Sequence, residues 1–297
     1  MTRSDWLLTD TPQSAWQASC GRWYRGWLRA AHSPAMLFGL AILGAILLAA
    51  IFAPWLAPFD PNAQNINQRL LPPGGQHWLG TDQLGRDLLS RVIHGTRPTL
   101  MIVLLVALLS APMGLMVGIC AGYFGGWIDT AMMRLTDIFL AFPRLVLALA
   151  LVAVLGPGIE NAVIAIAITA WPPYARIART ETLTCRGSDF LQAARVQGLP
   201  TSRILFGHVL PMCLPSSVVR VTLDMAGIIL TAAGLGFLGL GAQPPMSEWG
   251  AMIASGRQFI FDQWWVAVVP GVAILLGSLA FNLVGDGLRD VLDPKHG

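Results

Sequence analysis

Residues 98–128 read PTLMIVLLVALLSAPMGLMVGICAGYFGGWI, and no Asp, Glu, Lys or Arg interrupts them. A helix rises about 1.5 Å per residue, so about 20 apolar residues cross about 30 Å of hydrocarbon. The same reading extends outward along the chain. Residues 30–59, 225–247 and 263–285 are also free of charge. These four gaps predict spans near 36–56, 98–121, 222–241 and 266–286. Two shorter gaps, 145–159 and 161–175, predict spans near 138–156 and 159–177, with Arg144 and Glu160 at or near their ends. The expectation is an all-α membrane protein, a bundle of six transmembrane helices. A β-barrel would show alternation rather than runs, and in lipid every backbone polar group needs an internal partner.

Composition agrees. The chain has 297 residues, 55% hydrophobic and 12% charged, whereas a soluble domain carries about 25% charged residues. A water-exposed globule, a disordered chain and a nucleic-acid binder are excluded on these grounds. The net charge of +3 says little; where the charges sit says more. With a cytoplasmic N-terminus, the inside segments hold Arg3, Arg22, Arg25, Arg29, Arg134, Arg176, Arg179, Arg186, Arg195, Arg203, Arg289 and Lys295. The outside segments hold Arg69, Arg86, Arg91, Arg97 and Arg257. Twelve against five predicts both termini inside, although Arg86, Arg91 and Arg97 cluster on the wrong side, with Asp82 and Asp87 available to pair with them.

The domain plan is a cytoplasmic tail at 1–35 and a transmembrane domain at 36–297, with an external loop at 57–97 and a cytoplasmic loop at 178–213. The tail does not read as a secretory signal. Trp16, Cys20, Trp23 and Trp27 fall on one helical face, with arginines largely off it, which predicts a helix lying on the cytoplasmic leaflet. Cys20, Cys120, Cys185 and Cys213 lack metal or redox spacing and read as unpaired. The histidines show no metal-ligand spacing; a pair of His77 and His94 is the one arrangement to check. No metal site is expected.

Several motifs fail on context. Gly234, Gly236 and Gly239 spell GxGxxG, but inside an uncharged membrane stretch they predict close helix packing. Gly114, Gly118 and Gly122 repeat small-xxx-small and predict another helix–helix face. A Walker A loop is impossible, because the only lysine is Lys295, followed by His296. No HExxH motif, GxSxG motif or other catalytic constellation is found, so the chain is not expected to be an enzyme.

The cytoplasmic loop is long for a bundle connection. Ser188 or Asp189 can cap a short helix through Gln192-Ala193-Ala194-Arg195, Gly198 can end it, and a second can start at Thr201 or Ser202. The result is a helix–Gly–helix elbow with its small alanines exposed, shaped to enter a partner's groove. The spacing Gln192-Ala193-Ala194, Gly198, His208-Val209-Leu210-Pro211 resembles the EAA loop of ABC-importer permeases. Gln192 stands where that family often has Glu, and His208 where it has Ile. Gly80-Thr81-Asp82-Gln83-Leu84-Gly85-Arg86-Asp87 is similar to the stretch before the second span in peptide/nickel permeases. Phe237 through Pro245, Glu248-Trp249-Gly250 and Phe281 through Asp290 are similar to the C-type subunit of dipeptide and oligopeptide importers.

The resemblance implies the type I ABC importer permease fold in a bacterial inner membrane, with residues 57–97 periplasmic. It implies a B-type permease partner, two cytoplasmic ATPases that bind ATP and Mg, a periplasmic binding protein, contact with membrane lipid, and no cofactor in this chain. It assigns the ATPase contact to Asp189, Gln192, Ala193, Ala194, Arg195, Gly198, Arg203 and Pro211. Peptides are the expected cargo; nickel or a metal chelate is the alternative within the family, and a secondary transporter the alternative outside it. Arg220 and Asp224, four apart in the fifth span, read either as an intrahelical ion pair or as part of the translocation path. Glu248 and Trp249 read as an exposed loop pair, either at the membrane interface or forming a periplasmic gate or dock. Trp264-Trp265 is expected at the interface, and Asn282 and Asp286 in helix-end packing. Pro143 and Pro172-Pro173 are expected to bend spans three and four.

Overall fold

The computed structural model describes residues 33–292, with Ser14 and Gln17; the expected tail helix lies outside the described residues. The described chain is helical, without strands. Helix α1 spans Pro34–Leu56, started by Pro34 at its first position and by Ser33, whose side chain accepts from the Met36 N–H. Helix α2, Leu88–Phe124, starts at Asp87, which accepts from the Ser90 N–H. At 37 residues it is about 55 Å long and overruns the hydrocarbon at its ends.

The third passage is bent. Helices α3 (Gly126–Leu140) and α4 (Arg144–Leu155) meet at 89°. Pro143 sits in the break, where its ring disfavours helix in the preceding residue. The fourth passage is divided as well. Helix α5 (Ile159–Ala170) abuts α6 (Pro172–Arg186) through Trp171, with Pro172 and Pro173 in the first turn of α6. Beyond the cytoplasmic loop lies α9 (Leu210–Phe237), preceded by α7 (Asp189–Val196), α8 (Thr201–Ile204) and a π turn at Leu205–Val209. A short α10 (Trp249–Gly256) precedes α11 (Trp265–Leu292).

Length and hydropathy alone qualify four segments as spans: α1, α2, the run Thr201–Phe237 and α11; the bent pair makes a fifth. The sixth passage is the α5–α6 pair, whose inner half is too polar to register as a span. Its direction is fixed by packing. Gly114, Gly118 and Gly122 of α2 meet Trp171 and Tyr174, then Ala175 and Ala178, then Arg179 and Thr182. Both helices therefore run the same way, from outside to inside. The expected spans at 138–156 and 159–177 are thus corrected to 126–155 and 159–186, because polar inner halves hid part of each helix. An even number of passages places both ends of the bundle on one side, and the distribution of arginines makes that side the cytoplasmic one.

Two apolar clusters make the core. The outer one joins Ile102, Val106, Ile166, Ile228, Leu235 and Trp249; the inner one joins Leu115, Ile119, Tyr174, Leu191, Ile204 and Cys213. Helix α1 gives no buried residue to either cluster; Leu43 and Ile46 pack against the outer one, and the helix leans on α11 where Gly39 faces Leu283 and Gly287 faces Met36. Most of its apolar surface is exposed, as a lipid-facing helix requires.

The outside arginines that opposed the orientation are absorbed by the fold. Arg86 Nε lies 2.6 Å from Asp82 Oδ2, and Arg91 lies 3.6 Å from the same carboxylate. Arg97 donates to the Ala50 and Ile51 carbonyls. Pro54, lacking an N–H, leaves the Ala50 carbonyl without its helical partner, and Arg97 takes that place.

The glycine register yields a test. A side chain at 118 would strike the Ala175 carbonyl and the Ala178 Cβ, whereas nothing lies within 4 Å of a Cβ at Gly44. Gly118→Leu should lose about 3 kcal/mol or more by forcing α2 from α6, and Gly44→Leu almost nothing. Thermal denaturation in detergent reads the difference.

Candidate functional site

The loop forms the elbow expected of it. Helix α7 begins after Ser188, Gly198 takes φ +74°, and α8 begins at Thr201. Ser188 does not cap with its side chain; its hydroxyl donates back to the Cys185 carbonyl at 2.7 Å. Helix α7 is anchored by Leu191 and Ala194, and α8 by Ile204, all buried. Of the two alanines only Ala193 is exposed, which corrects the expectation that both are. The outer surface shows Phe190, Gln192, Ala193 and Val196, with Asp189, Arg195, Gly198 and Arg203 also exposed. Gln192 Nε2 donates to the Gly187 carbonyl at 3.3 Å, and the Arg195 guanidinium lies 4.7 Å from the centre of the Tyr123 ring. Pro211 is exposed and accounts for the π turn before it. Having no N–H to bond the Gly207 carbonyl, it breaks the α ladder, and Leu210 bonds back to Leu205 instead.

Above the elbow, charges tie the bent passage to the bundle. Arg179 donates two bonds to Asp129, one of them at 2.6 Å, and Arg176 lies 2.7 Å from Asp137. Asp224 is buried, 8% exposed, and accepts from Arg144 Nη1 at 2.8 Å and from the Tyr174 hydroxyl at 2.9 Å. The intrahelical pair expected between Arg220 and Asp224 is therefore not formed. Tertiary packing presents Arg144 from the start of α4, just after the bend, and it outcompetes the neighbour on the same helix. Sequence reading missed Arg144 as a partner; its position at the edge of an apolar run was the available signal.

Outside the membrane, Glu248 and Trp249 are each 2% exposed, so the expected exposed loop pair is corrected. Glu248 caps α10, accepting from the Gly250 and Ala251 N–H groups at 2.9 and 2.8 Å. Trp249 Nε1 donates to the Val92 carbonyl at 3.1 Å, so the ring is a buried strut against α2. Trp265 is also buried, against Gly80, while Trp264 stays exposed. Asn282 and Asp286 are exposed rather than packed. His77 bonds Asp87 at 2.9 Å and His94 bonds the Ser90 carbonyl, so the two do not converge. Among the described residues no cluster of three His, Cys, Asp or Glu forms.

These contacts separate the competing pairings. Asp224→Ala strands the Arg144 charge and should cost about 3 kcal/mol, whereas Arg220→Ala should cost under about 1 kcal/mol. Unfolding in detergent, with Arg144→Ala as the third corner of a double-mutant cycle, measures both. Equal losses at Arg144 and Arg220 would restore the intrahelical pair. At Glu248, burial pushes the carboxyl upward and the two N–H bonds pull it partly back. A carboxyl raised above its unfolded value near 4.3 stabilises the fold fully below that pH and loses this as pH rises through the folded value. Wild type should therefore lose more stability than Glu248→Gln as pH is raised from 4 to 7, read as a divergence in Tm.

Comparison with known proteins agrees with this architecture. Residues 114–296 match the family described as binding-protein-dependent transport system inner membrane component, and residues 21–73 match the N-terminal TM domain of oligopeptide transport permease C. The chain is 49% identical over 275 residues to the di/tripeptide transport system permease protein DppC of Pseudomonas aeruginosa, covering 91% of each chain. It is 47% identical over 265 residues to the probable D,D-dipeptide transport system permease protein DdpC of Escherichia coli, covering 89% of each. It is 43% identical to the nickel transport system permease protein NikC of Escherichia coli, over 86% of this chain and 92% of that one. Among solved structures, the inward-facing MetNI methionine ABC transporter superposes with a TM-score of 0.55 at 20% identity, over 69% of this chain and 97% of that one, a likeness of fold. The chain belongs to the binding-protein-dependent transport system inner membrane components, a family of multi-pass permeases of ABC importers.

Proposed function

We propose that this chain carries peptides of the di- and oligopeptide class across the inner membrane, beside a B-type permease. Two ATPases holding ATP and Mg drive it from the cytoplasm, a periplasmic binding protein delivers the cargo, and no cofactor resides in this chain. The observation that carries the reading is the elbow: a short helix rooted by Leu191, Ala194 and Ile204, with Phe190, Ala193 and Val196 left uncovered at its cytoplasmic tip. A knob rooted in this way transmits force. When ATP draws the two ATPases together, a push on α7 passes through the inner apolar cluster to α2 and α6. From α6 it reaches α3 through the pairs of Arg176 with Asp137 and Arg179 with Asp129, so these segments move as a body. Asp189, Gln192, Arg195, Arg203 and Pro211 flank that tip and complete the ATPase contact. Of the expected pair, Asp224 remains the proposed polar residue near the path, held in place by Arg144 and Tyr174, whereas Arg220 lines the cleft between α6, α9 and α11 instead. Glu248 and Trp249 serve the outer side as the strut that sets α10, not as an exposed gate.

Nickel or a nickel chelate is the second reading, supported by the likeness to NikC. Reconstituted vesicles with all subunits separate the two by comparing uptake of labelled dipeptides and of nickel.

Gly198 offers the sharpest test of the elbow. It has φ +74° and open space around its Cα. Gly198→Val forces a β-branched residue into a left-handed conformation and re-aims α7 against α8 without disturbing the bundle. Uptake should fall at least about tenfold, corresponding to about 1.4 kcal/mol, while membrane insertion is unchanged. Uptake at the wild-type rate would remove the elbow from the coupling.

A further inference from the structure

The corrected pairing of Asp224 leaves a cation over. Among the described residues neither Arg220 nor Arg289 forms an ion pair, and the Nε of Arg220 is buried without a hydrogen-bond partner. Both arginines line one cleft of about 480 Å³ between α6, α9 and α11. Ile177, Leu223 and Leu292 supply apolar wall, and Ser216 stands at its side with its hydroxyl given to Glu181 at 2.7 Å. Arg220 and Arg289 are the charged residues that line the cleft; Glu181 stands behind Ser216, and Asp286 and Asp290, which flank Arg289 on α11, line no part of it.

The level of the cleft in the membrane is fixed by helix lengths. Arg220 lies 17 residues before the outer end of α9, about 26 Å inward. Arg289 lies 24 residues after the outer end of α11, about 36 Å along it. Both positions fall at the cytoplasmic edge of a hydrocarbon layer about 30 Å thick. A basic cleft between helices at this depth, with aliphatic walls, is complementary to a phosphate attached to acyl chains.

We infer that the cleft between α6, α9 and α11 binds the headgroup phosphate of an anionic phospholipid of the inner leaflet, with Arg220 and Arg289 as its ligands. The phosphate diester accepts from the two guanidinium groups, and an acyl chain lies along Ile177 and Leu223.

The test is lipid binding to the full chain, with the subunits that co-purify with it, by native mass spectrometry. Phosphatidylglycerol and phosphatidylcholine are titrated separately into the wild type, Arg220→Gln/Arg289→Gln and Arg220→Lys/Arg289→Lys. The Gln variant should bind phosphatidylglycerol about thirtyfold more weakly, taking about 1 kcal/mol per arginine and 1.4 kcal/mol per factor of ten. The Lys variant should stay within about threefold of wild type, because the charge persists. Phosphatidylcholine binding should not change, and millimolar inorganic phosphate should not displace the lipid. Equal affinity of wild type and the Gln variant for phosphatidylglycerol overturns the site. Equal affinity of the wild type for the two lipids overturns it without recourse to any variant. Displacement by inorganic phosphate overturns the lipid as occupant and assigns the arginines to a soluble anion.

Discussion

The close approach of α2 to α6 is the constraint on which the rest of the structure depends. In a bilayer, apolar side chains gain little by leaving lipid for one another, so helices associate through backbone proximity and polar pairs. Gly114, Gly118 and Gly122 let α2 touch α6 at three successive turns, in register. That contact sets the direction of α6, and hence where the chain re-enters the cytoplasm at Gly187. It also sets where α7 can find its seat on the inner cluster. The π turn joins the same core through Val209, and α9 through Cys213.

Charge serves the bundle in two different ways. Outside the hydrocarbon, Asp82 and Asp87 bind Arg86, Arg91 and His77 into a buried polar cap over the start of α2. These arginines are fixed inside protein, so their presence on the outer side does not oppose the orientation set by the inner ones. Within the bundle, Arg–Asp pairs fasten the bent α3–α4 passage, alongside the burial of Ala148 and Val152 in the outer cluster. Arg144, one residue past Pro143, bonds a carboxylate on α9 and so pins the bend to the helix that follows the elbow.

The elbow combines a rigid base with an open tip. Leu191, Ala194 and Ile204 are buried, while Phe190, Ala193 and Val196 are not. Gly198 turns the chain between the two short helices, and Pro211 converts the next turn to π geometry. Both features come from local chemistry: one residue lacks a Cβ and the other lacks an N–H.

The sequence by itself determined the membrane class, four of the passages, the glycine face at 114, 118 and 122, the break at Pro143 and the elbow at 188–202; of the second expected face, Gly239 lies beyond the end of α9 with nothing within 4 Å of a Cβ there. Each of these depends on local properties: uninterrupted apolar runs, helical spacing, and residues with special backbone freedom. The tertiary structure alone decided the extents of the third and fourth passages, because α3 and α6 are polar on faces that only packing and ion pairing can hide. It alone decided that Asp224 bonds Arg144, 80 positions away, rather than Arg220 one turn before it. It alone turned Glu248 and Trp249 from a presumed exposed pair into a buried cap and strut. Pairing and burial depend on which surfaces meet in space, and a charge chooses the partner whose geometry best repays its desolvation.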